Sequence, residues 1–236
     1  MFSMKLDHIV YFTRDHVKNV VKEQRAKGNQ AIVGGQHENW GTANALLYTD
    51  NVYIEWLTVE DLEKAQAAAA DQPLIAQYFY DQQQGDGWAT VCFSVEDMEQ
   101  WKKELDNKGF TTTKILHASR KTEEGTVLRW KMLFIEQSVS NELPYPFFIE
   151  WEESEAQRQT RLEKTGARTA THTQQRISEC VFHVEDPLRE TAEWAVLLSK
   201  KVGDTHDIQI GDVLLRFVEK QDTVQRLAGI HCTLND

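Results

Sequence analysis

The tripeptide Ile-Glu-Trp occurs twice in this chain, at positions 54–56 and 149–151, and each copy contains one glutamate. Each tripeptide belongs to an apolar, β-favouring run, in which strand alternation places Glu55 on one face with bulky apolar neighbours. An unpaired carboxylate in such surroundings is costly, and one remedy is a divalent metal that the carboxylate binds together with a neutral imidazole. Glu55 and Glu150 are therefore the first candidates for metal binding or proton transfer.

His8 could supply the imidazole, because it lies on an apolar face of the first strand-like run. A hydrogen-bonded core histidine is the alternative interpretation of His8. A second polar group, His37, Thr42 and Asn44, surrounds a Trp-Gly pair. This group either contacts a substrate or forms a turn held by hydrogen bonds between side chains and backbone.

The glutamates also have alternative interpretations. An exposed position on one face of an antiparallel strand accounts for either residue. A buried ion pair with Arg129 or Lys131 is a second alternative. The recurrence of the tripeptide nevertheless favours a shared site for Glu55 and Glu150, because internal repetition is more informative than a single motif.

The candidate residues lie within a repeated order of elements. Residues 4–59 have the pattern of a β-α-β-β-β unit whose helix ends at a glycine. Residues 88–153 repeat that order. The connector at 60–87 is rich in Ala and Gln, and Pro73 could start a short helix within it. The sequence therefore predicts two similar units joined by a helical connector.

Two further segments follow the repeated units. Residues 154–176 are strongly polar and predict a solvated helix or linker. Residues 177–236 predict a shorter third copy with the order β-α-β-β. The position that matches the repeated glutamate in this copy is Arg216. We therefore expect the third unit to be degenerate, with a structural role more than a catalytic one.

Composition and charge exclude several classes of partner. The 236 residues include 37 acidic and 26 basic residues, a balance of −11, and no Lys/Arg cluster, which disfavours nucleic acid and anionic membranes as partners. The three cysteines form no CxxC pair, and no segment approaches the roughly 18 apolar residues of a membrane helix. The sequence thus predicts a cytoplasmic protein with a small-molecule partner. Motifs typical of nucleotide binding or serine hydrolysis are absent from it.

The repeated β-α-β-β-β units resemble the vicinal oxygen chelate superfamily, which includes glyoxalase I, extradiol dioxygenases and bleomycin-resistance proteins. The resemblance also rests on the histidine in the first strand of the chain and on the glutamate in the last strand of each unit. Within this superfamily, the stretch GGQHENWGTANALLY (34–48) followed by YIEWL (53–57) resembles the glyoxalase-like domain family. The resemblance covers about residues 4–153. It implies an α+β fold in which tandem units form curled mixed sheets around a cavity, within one chain or across a dimer.

The resemblance also implies a metal site, because members of the superfamily hold a divalent ion with residues from the first and last strands of two units. His8, Glu55 and Glu150 would be the ligands here, and the ion would be Zn, Ni, Mn or Fe. Thr90 stands where a fourth ligand is expected. Water or His37 would then complete the coordination.

Two hypotheses for function follow from this resemblance, and a third concerns assembly. The first is a metal-dependent lyase or isomerase, or else a dioxygenase, acting on a small substrate with neighbouring oxygens. In it, Glu55 or Glu150 acts as the base, while His37, Thr42, Asn44 and Arg129 contact the substrate. The second is a metal-free binding or sequestering protein, which the threonine at the expected ligand position favours. The third is a homodimer formed through the degenerate C-terminal unit.

Overall fold

The structure is a computed structural model that describes residues 4–122, 125–168, 175–203, 205–220 and 224–234. It confirms the expected α+β fold with curled sheets. The first unit contains five elements: β1 (Met4–Phe12), α1 (Val17–Ala26), β2 (Ile32–His37), β3 (Thr42–Tyr48) and β4 (Tyr53–Val59). The connector contains α2 (Leu62–Ala68) and α3 (Pro73–Asp81), and the second unit contains β5 (Gly87–Val95), α4 (Met98–Asn107), β6 (Leu116–Lys121), β7 (Val127–Leu133) and β8 (Phe147–Trp151).

The two units close one barrel within the chain. The strand order is β1-β4-β3-β2-β6-β7-β8-β5, so each unit supplies four neighbouring strands. β1 runs parallel to β4 and antiparallel to β5, and β5 runs parallel to β8. At the opposite junction, β2 and β6 are joined by a single residue pair, Gln36 with Lys121. The units therefore pair with each other within the chain, and one of their two junctions is weakly hydrogen-bonded.

The side chains of the barrel divide into an inner and an outer layer. Outward-facing residues such as Ile54, Trp56 and Phe148 pack in one apolar cluster with helices α1 and α4. Inward-facing residues such as Leu57 and Phe147 belong to a separate cluster with α3. This division follows from strand alternation, which sends successive side chains to opposite faces. It decides which polar residues can meet inside the barrel.

The polar segment after the second unit folds onto the barrel. Its helix α5 (Glu155–Lys164) begins with a capping box in which Ser154 and Gln157 each satisfy a backbone N–H. Arg158 and Leu162 of this helix are buried. The segment was expected to be a solvated helix or linker, but it is in part a packed helix. The sequence pattern does not predict that Arg158 is buried, because a charged residue is normally exposed. Its burial depends on an ion pair with Asp7, which is distant in the sequence.

The C-terminal unit contains one more strand than the sequence pattern predicted. It consists of β9 (Gln175–Val184), α6 (Pro187–Leu198), β10 (Asp207–Ile210), β11 (Val213–Glu219) and β12 (Arg226–Leu234), with the strand order β10-β11-β9-β12. The order β-α-β-β was therefore incomplete. β12 lies at a sheet edge and its last residues are exposed, so it lacks the apolar alternation that indicates a strand.

No helix in the described ranges is long and apolar enough to cross a membrane. The predicted cytoplasmic location and the homodimer remain predictions.

Candidate functional site

The barrel encloses a cavity with an empty volume of about 500 Å³. A mainly aromatic lining with a few polar groups is typical of sites for small organic ligands. The lining combines aromatic rings with a small set of polar side chains. The aromatic residues are Trp40, Tyr53, Trp130, Phe147 and Trp151, and the polar residues are His8, His37, Thr42, Asn44, Glu55, Gln72 and Arg120.

His8 is held in one orientation by Asp7. Its Nδ1 lies 2.8 Å from Oδ1 of Asp7. The other oxygen, Oδ2, accepts hydrogen bonds from Nη1 of Arg158 at 2.7 Å and from Nε1 of Trp151 at 3.1 Å. Burial alone would raise the pKa of Asp7, but the charge of Arg158 and the contact with His8 hold that pKa well below its usual range. Asp7 is therefore a carboxylate that accepts the Nδ1 proton, which leaves Nε2 of His8 facing the cavity.

Packing fixes the His8 ring further. It stacks on Tyr53 with ring centroids 4.7 Å apart, and it meets Phe147 edge-on at 5.4 Å. Arg158 in turn lies over the rings of Tyr53 and Trp151. Since the hydrogen bond and the rings agree on one orientation, Nε2 of His8 has a defined position in the cavity.

Glu55 is the carboxylate that faces Nε2 of His8. Its Oε2 lies 3.3 Å from that nitrogen. Its Oε1 accepts a hydrogen bond from Nδ2 of Asn44 at 2.5 Å, and Oδ1 of Asn44 accepts one from Nη1 of Arg120 at 3.0 Å. Glu55 is 7% exposed, so the cavity holds a buried carboxylate next to an imidazole. Such a pair can pass a proton between its members and to a bound molecule.

His37 adds a second, neutral imidazole. Its Nδ1 lies 3.0 Å from Oγ1 of Thr42, within hydrogen-bond distance. Burial lowers the pKa of His37 to about 4, and the charges of Arg120 and His8 act in the same direction, against the opposing effect of Glu55. His37 is therefore uncharged at neutral pH. The expected polar group of His37, Thr42 and Asn44 does line the cavity.

Glu150 lies outside the cavity. Its Oε1 accepts a hydrogen bond from Nζ of Lys131 at 2.8 Å, and its Oε2 accepts one from the backbone N–H of Met98 at the start of α4, at 2.7 Å. The inner face of β8 instead carries Ile149 and Trp151. The two Ile-Glu-Trp tripeptides thus face opposite ways: the glutamate points into the barrel in the first and out of it in the second. A shift of one residue in the register of a strand moves every side chain to the other face of the sheet.

The structure therefore does not assemble the ligand set expected from the sequence. Glu150 cannot share a site with His8 and Glu55 from the outer face of the barrel. It forms an ion pair with Lys131, one of the two alternative partners, but this pair is partly exposed and not buried. Arg129, expected to contact the substrate, is exposed on that same outer face. Thr90 donates from Oγ1 to the carbonyl oxygen of Tyr145 at 3.2 Å.

The cavity does not fit a metal held by three protein ligands. No group of three or more His, Cys, Asp or Glu side chains is placed to hold an ion in the described ranges. His8 and Glu55 are two of the three expected ligands, and Asn44 already donates to one oxygen of Glu55. Arg120 places a fixed positive charge in the same cavity. These donors favour chemistry by protein groups over chemistry by a divalent cation.

Three residues of the site were missed in the sequence: Asp7, Arg120 and Arg158. A signal existed for Arg120, because alternation in β6 puts Leu116, Ala118 and Arg120 on one face. Asp7 is next to His8 in sequence, but alternation predicts that the two point apart, and a register shift in β1 brings them together.

Comparison with known proteins identifies similar folds. A family model described as a glyoxalase-like domain matches residues 6–198. The crystal structure of a hypothetical protein from Staphylococcus aureus has a TM-score of 0.83 at 21% identity, over 97% of this chain and 90% of that chain. Methylmalonyl-CoA epimerase from Mycobacterium tuberculosis has a TM-score of 0.44 at 14% identity, over 66% of this chain and 91% of that chain. No curated protein matches the sequence.

Proposed function

This chain belongs to the glyoxalase-like domain family, and we propose that it is an enzyme that moves a proton on a small substrate inside the barrel, as isomerases and lyases do. The contact that carries this proposal is the 3.3 Å approach of Glu55 Oε2 to His8 Nε2. Both residues line the cavity. A hydrogen bond with Asp7 orients His8, and a hydrogen bond from Asn44 orients Glu55. Fixed orientation of this kind is what a general acid and base require.

In the proposed reaction, Glu55 accepts a proton from a substrate carbon that is adjacent to a carbonyl group. The electron pair of that C–H bond moves to the carbonyl oxygen, which becomes an enolate oxygen. Arg120, which donates a hydrogen bond to Asn44 beside Glu55, stabilises the negative charge on this oxygen. Return of the proton to another position gives an isomer, and loss of a neighbouring leaving group gives a lyase product. His8 relays the proton between Glu55 and the product.

The test measures the replacement of carbon-bound protons by deuterium in small 2-oxo and 2-hydroxy carboxylic acids. The protein is incubated with each compound in D₂O, and proton NMR follows the loss of the proton signal. We expect wild-type protein to exchange the carbon-bound proton of at least one compound. Glu55→Gln keeps the hydrogen bond with Asn44 but removes the base, so exchange should fall by about 10² to 10⁴. Glu150→Gln is the matched control and should exchange as fast as wild type. Equal rates for Glu55→Gln and wild type would contradict the proposal.

A binding or sequestering function is the second candidate, because five aromatic side chains line the cavity. Such rings bind apolar or aromatic ligands without any chemical step. An aromatic compound that raises the melting temperature, in a protein that exchanges no proton in D₂O, would favour this candidate.

A further inference from the structure

The barrel is least closed at the junction of β2 and β6. One residue pair, Gln36 with Lys121, joins these strands, whereas five pairs join β2 to β3. Two consecutive glycines of β2, Gly34 and Gly35, lie at this junction. The junction is thus a place where a side chain can pass through the wall of the barrel.

Arg120 occupies this place. A Cβ atom on Gly34 would lie 2.6 Å from Nη1 of Arg120, and one on Gly35 would lie 3.2 Å from its Cδ. The absence of side chains on both glycines therefore makes room for the arginine. Arg120 lines the inner cavity and also a groove on the outer surface. The side chain of Arg120 therefore lies between the two spaces.

Among the residues that the structure describes, no carboxylate forms an ion pair with Arg120, and Glu55 is linked to it only through Asn44. Arg120 is 7% exposed, and its Nη1 donates to the neutral amide of Asn44. Its Nε has no hydrogen-bond partner in the part of the chain that the structure describes. Burial of a cation without an anion is unfavourable. A bound anion at the junction would supply the missing negative charge.

The outer groove continues this positive character. It has an empty volume of about 1160 Å³. Lys18 and Arg25 of α1 line it together with Arg120, and Thr122 and Thr126 line it from the second unit. None of the described residues that line it is acidic. Arg161 on another wall is paired with Glu153, so it adds little charge.

We propose that this groove binds a phosphate or diphosphate group of a small-molecule ligand. Guanidinium and ammonium groups with nearby hydroxyls are the donors that such oxyanions prefer. Lys18, Arg25 and Arg120 give this groove a local positive charge, although the net charge of the chain is −11. Arg120 would join the bound anion to the barrel cavity. Only the further statement, that the remainder of the ligand enters the cavity, rests on the proposed function.

Titration calorimetry with inorganic pyrophosphate at low ionic strength tests the proposal. Wild-type protein should bind it, and added salt should weaken binding. Lys18→Gln and Arg25→Gln should each weaken binding about tenfold, which is about 1.4 kcal/mol. Arg120→Gln should weaken it more, because this cation is buried. Arg129→Gln removes an exposed arginine outside the groove and should bind as wild type does.

Two further results separate this proposal from the proposed function. Glu55→Gln should keep pyrophosphate binding even where proton exchange is lost. Absence of binding to wild-type protein at low ionic strength would overturn the proposal, whatever the exchange experiment shows. Equal weakening by Arg129→Gln and Arg25→Gln would also overturn it, because it would indicate a general charge effect. If Arg120→Gln does not fold, Lys18→Gln and Arg25→Gln decide the result.

Discussion

Nη1 of Arg158 donates a hydrogen bond of 2.7 Å to Oδ2 of Asp7, from a helix outside the barrel to the carboxylate that orients His8. The side chains of this ion pair are 9% and 1% exposed, so both charges are removed from water. The opposing charge raises the pKa of Arg158 even though burial lowers it. The segment that follows the second unit thus takes part in building the site.

The first prediction concerns this buried pair. Arg158→Met keeps an apolar stem in place of the aliphatic part of arginine but leaves the Asp7 carboxylate without its cation, so we expect a loss of about 3 to 5 kcal/mol in the free energy of unfolding. Urea unfolding at pH 7 measures it. The double variant Asp7→Asn with Arg158→Met should recover part of the loss, because no unpaired charge remains. Equal stability of Arg158→Met and wild type would contradict the ion pair.

The second prediction concerns the pH dependence that His37 gives to stability. Its pKa is about 4 in the folded protein and about 6.5 in the unfolded chain. Between these values the unfolded state binds a proton that the folded state does not, so stability falls as pH decreases from about 6.5 to about 4. The effect of this one residue is roughly 3 kcal/mol.

Urea unfolding at pH 7 and pH 4.5 should reveal the contribution of His37. His37→Gln can keep a hydrogen bond to Thr42 but does not titrate. We expect this variant to lose less stability than wild type over that interval. His117→Gln, which removes an exposed histidine outside the cavity, is the control variant. An identical loss in His37→Gln and wild type would contradict the assignment.

The third prediction separates Glu150 from the cavity. Glu150 accepts the backbone N–H of Met98 at the start of α4, as a capping residue would. Glu150→Gln can keep this hydrogen bond but removes the charge that pairs with Lys131, so we expect it to cost at most about 1 kcal/mol of stability. Ligand binding in the barrel should be unchanged. Glu152→Gln, an exposed neighbour in sequence, should be neutral in both measurements. If Glu150→Gln changed ligand binding in the barrel, Glu150 would have to be part of the site, and the prediction would be wrong.

Much of the fold could be predicted from the sequence, and only part of the site. Two β-α-β-β-β units could be recognised because their apolar periods and helix-ending glycines are local features. The opposite facing of Glu55 and Glu150 could not, because a strand's facing depends on its register with its neighbours. Arg158 is separated from Asp7 by 151 positions, and only the tertiary structure brings them together.

The last prediction concerns the glycine that makes room for Arg120. A Cβ on Gly34 would lie 2.1 Å from Oδ1 of Asn44 and 2.6 Å from Nη1 of Arg120, so Gly34→Ala must displace both of these groups or shift β2 itself. We expect a loss of about 1 to 3 kcal/mol in the free energy of unfolding. The displaced Arg120 should also weaken pyrophosphate binding.

Gly87→Ala is the matched control for Gly34→Ala, because it lies in another strand of the same barrel and a Cβ there would meet nothing within 4 Å. We expect it to change stability by less than about 1 kcal/mol, with the change favourable where the backbone accepts alanine. Thermal unfolding and calorimetry of both variants measure the two effects. If Gly34→Ala retains both stability and pyrophosphate binding, the close approach of Arg120 to β2 cannot be what positions its guanidinium.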